Sequence, residues 1–394
     1  LHLETMARIR NVYIPPGQEH VLIGQGDYRP WQPVVDELHK HAEWVVCIDA
    51  SIDDTLIKKK RRKEGPEREI IGFGSGVGVH GELNFTVSTE HFQLSDILYR
   101  LEGSISEVYQ GWDNQTLKMV AESVLKEAQT LSGLSLVRAT GVGTYIRDFM
   151  GYALARKLLR EDEDLLCGHL ISLDAYRHWV SGDDESRPDL LWLKAKLDDN
   201  GRIHLDMHLI ECKLAEHNDN HIDKATKQIK NGLASLIPAF APESETRYDD
   251  DRPDQRYWWL QLHRLIASKA EITQTKQDTV MAAMERLVEG DYTISWYGAV
   301  LAFWTDSRGE GVERIDNCIY EDPKSGQLQF GIFGIGQEAV RRICTQEKQL
   351  EIPWEESSIR FGEEAGEVEE DEEEKEKKKK QQTSSSSQYI DIKV

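Results

Sequence analysis

Apolar residues recur along this chain with two periods, and the changes of period mark its elements. Ile146, Phe149, Met150, Ala153 and Leu154 follow the three-and-four spacing of a helix face, which predicts a helix over 143–162. The same spacing predicts helices over 114–133, where Gly133 is the stop, over 221–237, and near 256–268 and 275–289. Short apolar runs and alternation predict strands in "EWVVCIDASID" (43–53), ending at Asp49, in "GHLISLD" (168–174) and in "YTISWYGAVLAFW" (292–304). The stretch 68–89 reads as strand, glycine-rich connection, strand, and 327–344 as strand, turn, helix. Between them "PDLLWLKAKL" (188–197), the turn "DDNG" (198–201) and "RIHLDMHLIECKL" (202–214) predict a β-hairpin.

Strands and helices are thus mixed throughout, which predicts an α/β protein. Residues 1–135 are expected to form an N-terminal α/β domain for recognition or docking, and 136–354 a second domain carrying the hairpin. Residues 355–389, "EEAGEVEEDEEEKEKKKKQQTSSSSQ" with its flanks, are charge-segregated and serine-rich and predict a disordered linker. The last residues, 390–394 in "YIDIKV", read as the start of a following strand. Together with a first residue that is Leu, they give the expectation of a piece of a longer polypeptide, unless the ends were trimmed.

Charge changes the picture more than size does. The 48 basic and 70 acidic residues leave a net charge of −22, and the tail from Gly362 to Lys380 accounts for only −5 of it. The remaining excess is unfavourable for a chain that binds nucleic acid unaided, so such binding would need a local basic cleft or a partner. Five scattered cysteines (Cys47, Cys167, Cys212, Cys318, Cys344) form no CxxC pair, which predicts reduced thiols in a cytoplasmic setting. No apolar run reaches the roughly 18 residues that would span a bilayer, and no signal peptide is read, so no membrane association is expected.

The candidate chemistry lies at the open end of the hairpin. Leu205, Met207, Leu209, Glu211 and Lys213 share one strand face, so an apolar face ends in a carboxylate and an ammonium. Counted from the turn, Asp189, which follows the strand-opening Pro188, reaches the same end as Glu211. Two carboxylates and a lysine together are the parts that metal-assisted phosphodiester hydrolysis uses. Mg²⁺ or Mn²⁺ prefers oxygen ligands, which Asp189, Glu211 and the Cys212 carbonyl could supply. Lys213 could orient the attacking water and offset the growing charge of the transition state.

Pro188-Asp189, 21 intervening residues, then Glu211-Cys212-Lys213 resembles the PD-(D/E)xK nuclease superfamily. The expected order of helix, strand, hairpin, helix and strand over 143–304 is similar to that family's restriction-endonuclease-like αβββαβ core, here with a helical insertion of roughly fifty residues that leaves strand order open. The resemblance implies a metal-dependent DNA endonuclease. It implies a polar contact from Gln228 and from Lys224 one turn earlier, and an extra acid at Asp148. DNA rather than RNA is implied by the resemblance, not by the residues. More narrowly, "LSGLSLVRATGVGTYIRDFMGYALARKLL" with "IIGFGSGVGVHGELNFTVSTE" resembles part of large prokaryotic defence proteins that join such a nuclease to an FtsK/HerA-type motor, as in phosphorothioation-dependent restriction. That implies a motor ATPase in cis or in trans. An oligomer is left open, and the rival expectation is a silent nuclease fold serving as a scaffold.

Other signals carry blander expectations. Gly76-Val77-Gly78-Val79-His80-Gly81 satisfies GxGxxG, but a strand and not a helix follows, so a glycine hairpin or bulge is expected. With no Gly-Lys pair anywhere, a P-loop ATPase is excluded within these 394 residues. The basic block Lys58–Lys63 could track phosphates or be a solvated loop. Asp49, Asp53 and Asp54 are expected to end a strand and open a turn. His204, Asp206 and His208 share a strand face opposite Glu211 and could bind zinc, but no third ligand is apparent and a packed surface is expected. Cys212, His217 and His221 resemble half a zinc finger. Tyr257, Trp258, Trp259, Leu262 and Leu265 are expected to pack the inserted helix. Asp322-Pro323-Lys324 and Asp391-Ile392-Lys393 also match Asp-x-Lys, and a second Arg-Pro-Asp stands at 252–254, but none has the hairpin context.

Overall fold

The computed structural model describes residues 32–49, 68–78, 81–131, 145–159, 165–181, 186–251, 254–267, 277–345, 350, 352–354 and 358–362. The basic block at 58–63, Asp53, Asp54, Asp391-Ile392-Lys393 and most of the expected linker lie outside them. The first described elements are α1 (Gln32–His41), β1 (Val45–Asp49), β2 (Glu69–Gly78), β3 (Gly81–Thr89), α2 (Leu94–Val108) and α3 (Asn114–Leu131). Next come α4 (Tyr145–Leu158), β4 (Cys167–Ser172), β5 (Leu190–Leu197), β6 (Ile203–Ala215) and α5 (Asp219–Ala239). Then follow α6 (Gln255–Ala267), α7 (Gln277–Val288), β7 (Thr293–Trp304), β8 (Val312–Asp322), β9 (Gly326–Ile335), α8 (Gln337–Thr345) and β10 (Ile359–Phe361).

Seven strands make one mixed sheet in the order β4-β5-β6-β7-β9-β8, with β10 also on β7. β4, β5 and β6 are successively antiparallel, α5 then crosses over, and β7 lies parallel to β6 and to β9. The hairpin expected over 188–214 forms, and Gly201 closes its turn with φ +68°, a left-handed conformation that favours glycine. Leu190 pairs with Ile210, so residues 189 and 211 come opposite one another just beyond the last strand pair.

Alternation along β5 and β6 builds two cores. Leu191, Leu193, Leu205, Met207 and Leu209 are buried with Ala225, Ile229 and Leu233 of α5 and with residues of α6 and α7. Leu190, Trp192, Ile210, Cys212 and Leu214 are buried with Phe149, Met150, Ala153 and Leu154 of α4. The sheet is therefore sandwiched between helices, and each fully buried large aliphatic side chain stabilises the fold by about 1.5–3 kcal/mol. The second cluster also takes in Ile97, Leu101 and Ile105 of α2 and Val120 and Val124 of α3. Residues on both sides of position 135 thus share one core.

Two glycines set how closely helices approach the hairpin. A Cβ on Gly151 of α4 would meet Cys212 Cβ at 3.2 Å, and one on Gly232 of α5 would meet Pro188 Cγ at 2.6 Å and Leu209 Cδ1 at 3.2 Å. The α4 and α5 helices therefore close on opposite faces of the same strand end.

Four of these elements were not anticipated, the first being α1 over Gln32–His41. α2 has buried Ile97, Leu101, Ile105 and Val108 at helical spacing, a pattern present in its sequence. β8 is an edge strand whose residues are mostly exposed, so burial leaves little alternation to read. β10 corrects the expected linker start at 355: Ile359 and Phe361 are buried around exposed Arg360 as the strand pairs with 294–296 of β7. The GxGxxG stretch is a hairpin, with Gly78 paired to Gly81. Trp259 is buried and its indole N–H donates to the Ala241 carbonyl at 3.1 Å, so it packs the inserted helix. No described helix is long and apolar enough to cross a membrane.

Gly232→Ala is expected to destabilise the protein by about 1–3 kcal/mol, because the proline ring it would strike cannot swing away. A urea midpoint unchanged from wild type would contradict the close contact.

Candidate active site

Beyond the last paired residues, carboxylates continue the β5–β6 ladder. The Asp189 N–H donates to Glu211 Oε2 at 2.9 Å, and the Cys212 N–H donates to Asp189 Oδ2 at 3.0 Å. The Lys213 ammonium donates to Glu211 Oε1 and, at 3.0 Å, to Gln228 Oε1. Gln228, on α5, is oriented by donating from Nε2 to the Arg187 carbonyl at 2.8 Å. The four residues singled out above, Asp189, Glu211, Lys213 and Gln228, thus lie in one hydrogen-bonded cluster.

Sequence reading missed three members. The Tyr152 hydroxyl on α4 donates to Asp189 Oδ1 at 3.3 Å. Arg187 donates to Asp174 Oδ1 at 2.8 Å, just past β4, where the Leu173 N–H also donates to the Asp189 carbonyl at 2.9 Å. Only Arg187 carried a sequence signal, its place beside Pro188-Asp189. Asp148 is exposed on α4, within electrostatic reach of Lys213 and Asp174. Lys224 is exposed one turn before Gln228.

Glu211 is 0% exposed, and burial, reinforced by the Asp189 charge, pushes its carboxyl well above the usual range. Burial likewise lifts half-buried Asp189 to about 6, against the pull of Lys213 and the Cys212 N–H. Burial opposes the Lys213 ammonium, but Glu211 and Asp189 outweigh it and hold the lysine charged. Burial, then the Asp189, Asp174 and Asp148 carboxylates, keep the Tyr152 hydroxyl protonated. The Cys212 thiol is pushed up by burial and remains neutral.

Two carboxylates, one of them fully enclosed, against one ammonium leave an excess of negative charge that a divalent cation would offset. The donors are hard oxygens, which fit Mg²⁺ or Mn²⁺. Among the described residues no three His, Cys, Asp or Glu side chains gather to hold a metal by themselves. Asp189 and Glu211 would therefore supply two ligands, with the Cys212 carbonyl and water completing the set.

The other candidates resolve into structural roles. His204 is bonded at 2.7 Å to Thr293 Oγ1 and at 3.1 Å to Asp206 Oδ1. His208, two residues on, lies instead among Trp192, Tyr297 and Trp354, its ring stacked 4.5 Å from Tyr297, and neither ring nitrogen has a hydrogen-bond partner. The zinc trio is therefore not assembled. Asp322 accepts from the Lys324 and Ser325 N–H groups at 2.9 Å and from the Tyr248 hydroxyl at 2.6 Å, so that Asp-x-Lys caps the β8–β9 turn. No family model, curated protein or solved structure matches the chain.

Two pH effects follow. Asp189 titrates near 6 when folded against 3.8 unfolded, so the folded protein keeps a proton that the unfolded chain loses, and stability falls as pH rises through that window. Asp189→Asn is expected to melt about 2–4 °C above wild type in EDTA at pH 7 and alike near pH 4; a lower melting point at pH 7 would refute the buried charge. His208 shows the opposite sign. Burial, helped by Lys194, drives it down to about 3 from 6.5, so stability is lost as pH falls across that range. His208→Phe should remove a slope of about 1.4 kcal/mol per pH unit, measured by urea unfolding between pH 6 and 4.

Proposed function

We propose that the chain is a metal-dependent DNA endonuclease, with Asp189, Glu211, Lys213 and Gln228 as its active site. The observation that carries this reading is the bonding across the hairpin end, where the Asp189 N–H donates to Glu211 and the Cys212 N–H to the Asp189 carboxylate, with Lys213 bridging Glu211 to Gln228. The order α4, β4, β5, β6, α5, β7 supports it as the order of elements that the PD-(D/E)xK resemblance implies.

Hydrolysis adds water across one P–O bond of the backbone. A divalent cation, when bound, supplies polarisation of the phosphate and acidification of the attacking water. Asp189 and Glu211 would hold it, with the Cys212 carbonyl available as a third protein ligand. The Lys213 ammonium, kept charged by Glu211 and aimed by Gln228, stabilises the charge that builds on the phosphate oxygens. Gln228, fixed by the Arg187 carbonyl, restricts where that ammonium can sit. The motor ATPase partner and the role in prokaryotic antiphage defence rest on the narrower resemblance alone.

A second reading, a nuclease fold that binds DNA or couples a motor without cutting, draws on the net charge of −22. Plasmid nicking separates the two. In Mg²⁺ or Mn²⁺ the wild type is expected to nick supercoiled DNA, EDTA to abolish nicking, and Asp189→Ala and Lys213→Ala each to lose at least roughly 100-fold. Equal nicking by all three proteins would sink the site assignment. Retained DNA binding without nicking, with and without an added motor partner, would favour the scaffold.

A further inference from the structure

Asp189 receives its two side-chain hydrogen bonds from two different elements. The Cys212 N–H on β6 holds Oδ2 at 3.0 Å, and the Tyr152 hydroxyl on α4 holds Oδ1 at 3.3 Å. These donors are neighbours in space because α4 rests on Cys212 at Gly151, whose missing side chain permits the approach. A carboxylate turns readily about its last torsion, where the wells are broad and roughly two-fold. One bond leaves that turning open, whereas bonds to both oxygens restrict it.

We propose that Tyr152 is a positioning residue for Asp189, locking the rotation of its carboxylate so that the pair with Glu211 is preshaped for a small cation with strict geometry. This inference rests on the carboxylate pair being a divalent-cation site. Tyr152 stands outside the ligand set: its hydroxyl donates to a ligand while its ring packs against the core behind α4. Partners of this kind typically govern metal affinity by 10–100-fold.

The consequence lies in selectivity. Mg²⁺ requires a near-regular octahedron of oxygens at short distance, whereas Ca²⁺ accepts six to eight ligands in flexible arrangements. A carboxylate free to rotate therefore penalises Mg²⁺ more than Ca²⁺. At 3.3 Å the bond is long for O–H···O, so its removal is expected to act on the cation preference while leaving the fold intact.

The test is calorimetric titration of Mg²⁺ and of Ca²⁺, separately, into the full chain without DNA. The proteins are wild type, Tyr152→Phe, Asp189→Asn and Tyr257→Phe. The last removes an exposed hydroxyl 3.1 Å from His178 and serves as the control. Wild type and Tyr257→Phe should bind both ions alike, and Asp189→Asn should bind neither. Tyr152→Phe, which keeps the ring and its packing, should lose roughly 10-fold for Mg²⁺ and clearly less for Ca²⁺, with an unchanged melting point in EDTA. Wild-type binding of both ions by Tyr152→Phe, with Asp189→Asn silent, would overturn the role of Tyr152 and spare the site. Equal losses for both ions would likewise overturn the positioning role. No binding by wild type, or normal binding by Asp189→Asn, would overturn the cation site itself and this inference with it.

Discussion

Enclosing the Glu211 carboxyl is the constraint from which the arrangement of this molecule's centre follows. A carboxylate without solvent must find hydrogen bonds and a counter-charge inside the protein. Its two oxygens take the Asp189 N–H and the Lys213 ammonium. That choice fixes Lys213, which engages Gln228, which in turn is anchored on the Arg187 carbonyl. One buried charge thus ties the end of β6, the segment leading into β5 and the middle of α5 into a single unit. With both carboxyls ionised the arrangement would hold one negative charge in excess, and burial raises both carboxyls.

Packing around that unit is asymmetric in a useful way. α5 approaches from one face through Gly232 and brings Gln228; α4 approaches from the other through Gly151 and brings Tyr152. Side chains at either glycine would push a helix back and withdraw its polar group. The core behind α4 continues into α2 and α3, so the helices of residues 94–131 are packed on the same body as the site. The far end of the sheet holds a separate polar network of His204, Asp206 and Thr293, with His208 sealed among aromatic rings between the two. These groups satisfy or enclose polar atoms within a sheet covered on both faces, and they do not join the cluster around Glu211.

By itself the sequence determined what local periodicity and counting can reach. The β5–β6 hairpin follows from period-two alternation on either side of Asp198-Asp199-Asn200-Gly201, and its register follows from the turn. Counting back from that turn places Asp189 opposite Glu211, and alternation puts Glu211 and Lys213 on one face. The helices α3 through α7 announced themselves by their apolar stripes, and a glycine-rich hairpin was legible in 76–81 because a strand follows it.

Only the tertiary structure decided which distant residues complete the cluster. Tyr152 lies 37 residues from Asp189 and Asp174 lies 13 from Arg187; no sequence period connects such pairs. They meet because helices and strands pack at angles set by side-chain volume, and two glycines remove that volume where it would hold the helices away. Strand order beyond the hairpin, the pairing of β10 on β7 and the sealing of His208 were decided in the same way. They depend on which faces are covered, and a face is covered by residues far along the chain.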